Sequence, residues 1–284
     1  MTVVVSVKVF DGIVVAADSA TTIPLPDGSH QVYNNANKIF QLHRKKPVAA
    51  ATWGLGVIGS ASISTLAKDL RRRFMGEDPQ RPEWTLQDDY TIKGVADRLT
   101  EFMFDELYSP QVASGQQPPA PLGFLIAGYQ ESAANEYHSE LWTVNIEDPS
   151  TKPIPQLQAG SIQVGWVAFA IQEAVVRLFS GFDPTLPDAL RAAVDPSQHP
   201  AIDETLKAVV KQPVIAGMPF ADAIDLAKFL AETTIGYAHF LPGPDIVGGE
   251  VEVAGISRHE GFKWISRKHY YSPHLNPEDP GHHV

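Results

Sequence analysis

The sequence predicts a single-domain α+β fold in which β-sheets pack on each other and helices lie outside them. The predicted elements come in the order strands, two helices, strands, helices and strands. Such an alternation of strand blocks and helix blocks is typical of layered folds. The 284 residues show no internal repeat, and 44% of them are hydrophobic, which is enough for one large core.

The chain opens with a predicted hairpin. Residues 2–9 read TVVVSVKV, in which β-branched residues dominate and valines alternate with Ser6 and Lys8. Residues 13–17 read IVVAA, an apolar run typical of a strand covered on both faces. Because Asp11-Gly12 between the two runs is a turn signal, we expect them to pair.

The register of this hairpin brings two polar residues to one end. With Asp11 and Gly12 as the two turn residues, Thr2 lies opposite about Thr21. Asp18 ends the second apolar run, a few residues from that position. We therefore expect Thr2 and Asp18 to be neighbours at the open end of the hairpin.

The later elements follow from hydrophobic periodicity. Apolar and β-branched runs predict strands over residues 38–42, 48–52, 123–127, 140–144, 161–167, 250–256 and 262–265. Helical spacing of apolar residues predicts helices over residues 62–74, 92–108, 171–179 and 220–240. Residues 23–36 and 109–121 are predicted loops.

Two segments are set apart from this domain. Residues 183–215 are interrupted by prolines, contain a short helical stretch at 204–211, and are interpreted as an insertion. The residues from 268 are rich in proline and histidine and are interpreted as a solvated tail. The domain prediction is therefore one domain over 1–267, followed by a C-terminal tail over 268–284.

Composition restricts the class of partner and of chemistry. The formal net charge is −11, which disfavours nucleic acid and anionic membranes as partners. The absence of cysteine excludes disulfides, thiol catalysis and cysteine-ligated zinc. The sequence contains neither a signal-peptide pattern nor an apolar run of membrane-spanning length, so we expect a cytoplasmic protein.

Thr2 offers a specific chemistry if Met1 is removed. Threonine is small enough for methionine aminopeptidase to accept it as the second residue, and Thr2 would then carry a free α-amine beside its own hydroxyl. The pKa of such an amine is about 8, so a sizeable fraction is neutral near pH 7–8. A neutral amine can take the proton from Oγ, so nucleophile and base lie in one residue.

This chemistry needs charged groups nearby, and Lys38 and Asp18 are the candidates. A buried lysine would lower the pKa of the amine and stabilise a developing alkoxide, and a carboxylate would hold that lysine in place. Each of the two residues lies at the edge of an apolar strand. The alternative interpretation is a structural ion pair beside an ordinary first strand that retains Met1.

A set of motifs then resembles a known family. These are Thr2, DGIVVAADSATT at 11–22, KIFQL at 38–42 and VAAATWG at 48–54. Together they resemble the proteasome β-subunits and the related bacterial HslV-type and proteasome-homologue proteins of the N-terminal nucleophile (Ntn) hydrolase superfamily. Residues 124–129, 141–148 and 247–265 resemble the same family more weakly. The resemblance implies a four-layer αββα sandwich.

The resemblance also implies roles for individual residues. Thr2 would be the nucleophile and its own base, Lys38 would tune the amine, and Asp18 would orient Lys38. The backbone of Thr22 would pair with an extended substrate. The backbone N–H of Ala51, where the family has glycine, would be the oxyanion donor.

The supporting polar cluster of the family matches less well. Asp245 matches the family aspartate that assists the N-terminal amine. Its serine partner is replaced by Gly248. For the family's other serine, Ser161 is one match, although Ala168 or Ala170 fits the position better.

The resemblance implies a threonine-type peptidase that cleaves peptide amide bonds through an acyl-enzyme intermediate and needs no cofactor and no metal. It also implies a homo-oligomeric ring acting on unfolded polypeptide, with an ATPase partner left open. Two other functions share the fold: a catalytically inactive assembly or scaffold protein, and a small-molecule amidase.

Overall fold

The computed structural model describes residues 2–25, 27–131, 137–243 and 247–268. The chain forms a mixed fold of antiparallel sheets and helices. The first sheet has five strands in the order β12-β1-β2-β13-β14. These strands are β1 (Val3–Val9), β2 (Gly12–Ala17), β12 (Gly165–Ala170), β13 (Glu252–Ser257) and β14 (Gly261–Ser266).

The second sheet also has five strands, in the order β11-β10-β9-β6-β5. They are β5 (Ile39–Gln41), β6 (Val48–Gly54), β9 (Leu122–Glu131), β10 (Tyr137–Ile146) and β11 (Gln156–Ala159). Two short ribbons accompany the sheets. They are formed by β3 (Thr21–Pro24) with β4 (His30–Tyr33), and by β7 (Val57–Ile58) with β8 (Ala61–Ser62).

The helices are amphipathic and begin with recognisable caps where the sequence offers them. Ser62 and Thr91 accept the N–H of Thr65 and Gly94 and so cap the first two helices. The α-helices are α1 (Ile63–Phe74), α2 (Ile92–Thr100), α3 (Ser109–Ala113), α4 (Glu173–Ser180), α5 (Leu186–Ala193), α6 (His199–Val209) and α7 (Phe220–His239). A π-helical segment (Glu101–Tyr108) continues α2, and 3₁₀ turns cover Pro82–Trp84 and Pro196–Gln198. No helix within the described ranges is both long enough and apolar enough to cross a membrane.

Alternation along the strands divides the core into three buried clusters. One contains residues of both sheets, including Val4, Val15, Ala49 and Leu125. The opposite face of β1 and β2 packs against α4 and α7, with members Val3, Val5, Val14, Val175, Ala227 and Leu230. The opposite face of the second sheet packs against α1 and α2, with members Ala50, Phe124, Ile126, Leu70 and Val95.

The hairpin forms, but its register differs from the predicted one by two residues. Val9 pairs with Gly12 and Val4 pairs with Ala17, so the turn residues are Phe10 and Asp11. Gly12 belongs to the strand, and α7 packs on it. A Cβ on Gly12 would lie 2.3 Å from the ring of Phe220. The glycine therefore serves a close helix–sheet contact and not a turn conformation.

Other boundaries also differ from the predictions. The predicted loop over 23–36 contains β4 and the last two residues of β3, a ribbon without the alternation that marks a half-buried strand. The strand predicted over 161–167 is displaced to Gly165–Ala170. The segment 183–215 contains α5 as well as α6, and β11 was not predicted. In each case the residues concerned bury too little apolar surface to leave a periodic pattern.

Candidate active site

The open end of the hairpin places Asp18 directly beside the backbone of the first residues. The N–H of Val3 donates to Asp18 Oδ1 at 2.9 Å, and the N–H of Asp18 donates to the carbonyl of Val3 at 3.3 Å. The carbonyl of Thr2 accepts the N–H of Ile171 at 3.1 Å. The carbonyl of Thr2 and the N–H of the residue after it are thus both hydrogen-bonded, and Thr2 is 4% exposed.

Asp18 and Lys38 form a buried ion pair. Lys38 Nζ lies 2.6 Å from Asp18 Oδ1, and the two side chains are 5% and 0% exposed. Asp18 Oδ2 accepts the N–H groups of Ala20 and Gly248, each at 3.1 Å. Three backbone donors and one ammonium therefore surround the carboxylate, which offsets the cost of burying its charge.

The two partners come from different sheets. Asp18 follows β2 of the first sheet, and Lys38 precedes β5 of the second. The carbonyl of Lys38 accepts the N–H of Thr52 at 2.9 Å, so the backbone of Lys38 extends the β5–β6 ladder. The ion pair consequently joins the sheets at the end of the hairpin where Thr2 lies.

Burial is the main influence on the ionisation of Lys38. It lowers the pKa of Lys38 below the ordinary lysine value, while the carboxylate of Asp18 acts in the opposite direction. The positive charge of Lys268 lowers the pKa of Lys38 further. The ammonium of Lys38 is therefore easier to deprotonate than an exposed lysine.

A second polar cluster, not anticipated from the sequence, adjoins this pair. Lys268 Nζ donates to Ser19 Oγ at 2.6 Å and lies 3.5 Å from Glu252 Oε2. Ser19 Oγ donates to the carbonyl of Glu250 at 2.6 Å. All three ionisable or hydroxyl side chains, those of Ser19, Glu252 and Lys268, are buried. The signal in the sequence was Glu252, a carboxylate at the start of an otherwise apolar strand, where burial requires a cation.

Ala170 has an unusual backbone beside Thr2. It pairs with Val3 at the end of β12, and its φ is +66°, a left-handed conformation that residues other than glycine rarely adopt. The turn in the chain at this point directs the N–H of Ile171 to the carbonyl of Thr2. A constrained backbone of this kind often accompanies a functional site.

Two clefts meet at Ala170. One has a volume of about 860 Å³ and is also lined by Thr22, Ile171 and Leu241. The other, of about 620 Å³, is also lined by Trp53, which stacks on Phe169 with ring centroids 4.7 Å apart. The strand that flanks Thr2 therefore forms a wall of two spaces large enough to accept amino-acid side chains.

The structure does not bring Ala51 to this site in the expected manner. Successive N–H groups of a strand point to opposite neighbours. Because the N–H of Thr52 points to Lys38, the N–H of Ala51 points to β9, where Leu125 lies opposite. Ala51 is completely buried between the sheets. Its N–H belongs to the sheet ladder, which corrects its assignment as an oxyanion donor.

Ser161 lies at the opposite end of β1 from Thr2. Its carbonyl accepts Lys8 Nζ at 3.1 Å, and its Oγ lies 2.8 Å from His138 Nδ1. Lys8 is six residues further along the chain than Thr2, a distance of about 20 Å in a strand. The position beside Val3 is filled by Ala170, so Ser161 does not assist the N-terminal residue.

The remaining predicted residues have different outcomes. Thr22 lies in β3, opposite Val32, and lines the larger cleft. Asp245 lies outside the described residues. Gly248 contacts Asp18 through its N–H, and its carbonyl accepts the N–H of Ser19 at 2.9 Å. Within the described ranges, no three histidine or acidic side chains lie together as a metal site would require.

Comparison with known proteins gives a structural likeness and no sequence family. No family model matches the chain, and no curated protein matches it. Among solved structures, the Gly-1 mutant of Anbu from Hyphomicrobium sp. strain MC1 is similar over 95% of this chain and 90% of that chain. The identity is 12% and the TM-score is 0.48, values too low to carry an argument about family or activity.

Proposed function

We propose that this chain is an N-terminal-threonine hydrolase that cleaves amide bonds, with peptides as its substrates. The observation that carries the proposal is the bridging position of Asp18 Oδ1. It accepts both the N–H of the residue after Thr2 and the ammonium of Lys38. This contact couples a buried lysine to the backbone of the proposed nucleophile, which is the constellation that such chemistry needs.

The proposed reaction begins when the neutral α-amine of Thr2 takes the proton from its Oγ. The oxygen attacks the substrate carbonyl, the C–N bond breaks, and the ammonium returns its proton to the departing amine. Water then attacks the resulting ester, with the amine as base, and releases the acid and Thr2. Lys38 stabilises negative charge on Oγ, and Asp18 keeps Lys38 in place.

The same proposal covers the substrate and the surroundings of the site. An extended peptide would lie against the backbone of Thr22, with the two clefts at Ala170 receiving its side chains. Asp245 would assist the amine. The three core clusters would correspond to a four-layer αββα sandwich, and several copies would form a ring that admits unfolded polypeptide.

The first test concerns the bond between Met1 and Thr2. Intact mass of the purified protein should show loss of one methionine, since only then does Thr2 have a free amine. Full retention of Met1 in an otherwise folded protein would contradict the proposed mechanism. The measurement requires no knowledge of the substrate.

The second test uses an epoxyketone, a reagent that bonds to both the amine and the hydroxyl of an N-terminal threonine. Peptide mapping should locate the adduct on Thr2. Thr2→Ala should abolish labelling and the hydrolysis of fluorogenic peptides, whereas Thr205→Ala, on the exposed face of α6, should leave both unchanged. Equal hydrolysis by Thr2→Ala and the wild type would refute the assignment of the nucleophile.

One observation favours the inactive scaffold as the second candidate. Ala170 and Gly248 stand beside Val3 and Asp18, so neither position provides a hydroxyl near the proposed amine. A protein that loses Met1 but shows neither labelling nor hydrolysis would fit this candidate. A monomeric native mass together with cleavage of small amides would instead favour an amidase.

A further inference from the structure

Lys268 is a buried lysine at the end of the described chain, two residues beyond β14. It is 6% exposed, and its ammonium donates to Ser19 Oγ and to the carbonyl of Ala36. Glu252 Oε2 is its ionic partner at 3.5 Å. A lysine in this position loses its hydration, so contacts of this number are needed to hold its charge.

These contacts connect the segments that form the candidate site. Ser19 follows Asp18 in the chain, and Ala36 lies two residues before Lys38. The N–H of Ala36 donates to the carbonyl of Ser19 at 2.9 Å, so both ligands of Lys268 also contact each other. One ammonium therefore fixes the positions of the loops that present Asp18 and Lys38.

The charge of Lys268 also acts on the site directly. Four ionisable groups share the buried region: Asp18, Lys38, Glu252 and Lys268. Lys268 lowers the pKa of Lys38, and its own pKa is lowered by burial and raised by Glu252, Asp18 and Glu250. Arg267 is a further cation, and with Lys268 it opposes the increase that burial causes in the pKa of Glu252.

We propose that Lys268 is a positioning residue of the Thr2 site, which orients the Asp18 loop through Ser19 and provides a second positive charge in the buried region of Lys38. The effect on catalysis rests on the proposed function, whereas the effect on Lys38 does not. Lys268 touches neither Thr2 nor Lys38 through a hydrogen bond in the described structure. It therefore acts through Ser19 and through its charge.

The experiment compares Lys268→Met with Lys268→Arg, which keeps the charge, and with Lys263→Met on the exposed face of β14. Two quantities are measured in the full-length protein. One is the rate of epoxyketone labelling of Thr2 between pH 5.5 and about 9, the range that brackets an α-amine. The other is the pKa of Lys38, from the NMR titration of ¹³C-labelled lysine side chains.

Lys268→Met should reduce the rate of labelling at least about tenfold. It should also move the acid limb of the pH profile to higher pH and raise the pKa of Lys38, because a neighbouring cation is removed. Lys268→Arg should restore most of the rate, and Lys263→Met should match the wild type. A residue with only a structural role would lower the rate without moving the pH profile. An unchanged profile together with an unchanged Lys38 titration in folded Lys268→Met would overturn the proposal.

The two proposals fail in different ways. Absence of labelling in the wild type refutes the hydrolase, and the Lys38 titration then still decides whether Lys268 acts on the site. If Lys268→Met does not fold, Ser19→Ala replaces it, since this variant breaks the link to Lys268 and keeps every charge. Ser19→Ala should lower labelling at least about threefold, and wild-type labelling in Ser19→Ala would refute the positioning role.

Discussion

Replacing Lys38 with methionine should destabilise the fold far more than replacing an exposed lysine of the same kind. The substitution keeps an unbranched side chain, which is one atom shorter, and removes its charge. Asp18 then remains fully buried, without the ammonium that lies 2.6 Å from its Oδ1. Breaking a buried pair by removing one partner costs about 3–5 kcal/mol in free energy of unfolding.

The structure places the expected loss near the lower end of this range. Asp18 retains the N–H groups of Val3, Ala20 and Gly248 in the variant. These donors stabilise the carboxylate, and Lys268 remains as a nearby positive charge. We therefore expect Lys38→Met to lose about 3 kcal/mol at pH 7.

Lys93→Met is the matched control. Lys93 lies 2.8 Å from Asp97, almost the same distance, but the two side chains are 53% and 47% exposed. An exposed pair on a helix contributes about 0.3–0.5 kcal/mol, and the contact of Lys93 with the Trp142 ring adds a similar amount. The control should therefore lose less than about 1 kcal/mol.

The assay is urea unfolding followed by circular dichroism at pH 7, repeated at several protein concentrations to separate folding from association. The two variants test burial as the deciding variable, because the two ion-pair distances are nearly equal. Equal losses in Lys38→Met and Lys93→Met would refute the argument. So would a loss below about 1 kcal/mol in Lys38→Met.

Three further outcomes follow from single residues. His43 is buried, its Nδ1 accepts the N–H of Lys46 at 2.9 Å, and burial, Lys46 and Lys45 lower its pKa to about 4. Between pH 6.5 and about 4, the His43 imidazole binds a proton in the unfolded chain but not in the folded one. The free energy of unfolding should therefore fall by about 2 kcal/mol from pH 7 to pH 5. Urea titrations of His43→Asn should show a weaker dependence on pH. Gly123→Ala would place a Cβ 2.1 Å from the Trp53 ring and should lower the free energy of unfolding by about 1–3 kcal/mol. Gly236→Ala, at a position in α7 with open space around it, should be neutral or stabilising. Equal melting temperatures of the two variants would contradict this expectation. Ala170→Gly should stabilise the fold by up to about 1 kcal/mol, because the φ of Ala170 is +66°. Ala168→Gly in the same strand should destabilise the fold. A loss of stability in both variants would show that the backbone of Ala170 is unstrained.

Local patterns in the sequence predicted most of the regular elements. The hairpin, the strands around Lys38 and the long helix α7 carry apolar runs or apolar periodicity, because each buries one or both faces. The elements that were missed, such as β3 with β4 and the helix α5, bury little. The conformation of a short exposed element depends on turn geometry and on neighbouring segments, and the periodicity of apolar residues contains no information about either.

The contact between Asp18 and Lys38 could be anticipated in part. Each residue lies at the edge of an apolar strand, where an unpaired charge would be unfavourable, so a partner was required. The resemblance of the N-terminal motifs to the proteasome family implied that the partner of Lys38 is Asp18. The roles of Thr2, Thr22 and Asp245 stay predictions, which the labelling and mass experiments address.

The sequence by itself determined which residues form the first strands and placed a hydroxyl and two opposite charges near their ends. The tertiary structure decided the register, in which Gly12 lies in β2 against Phe220 and the turn residues are Phe10 and Asp11. The tertiary structure also decided which residues adjoin the Asp18–Lys38 ion pair. Among them is Lys268, from the C-terminal end of the described residues. Register and such contacts depend on packing between distant segments, whereas strand formation depends mainly on local residues.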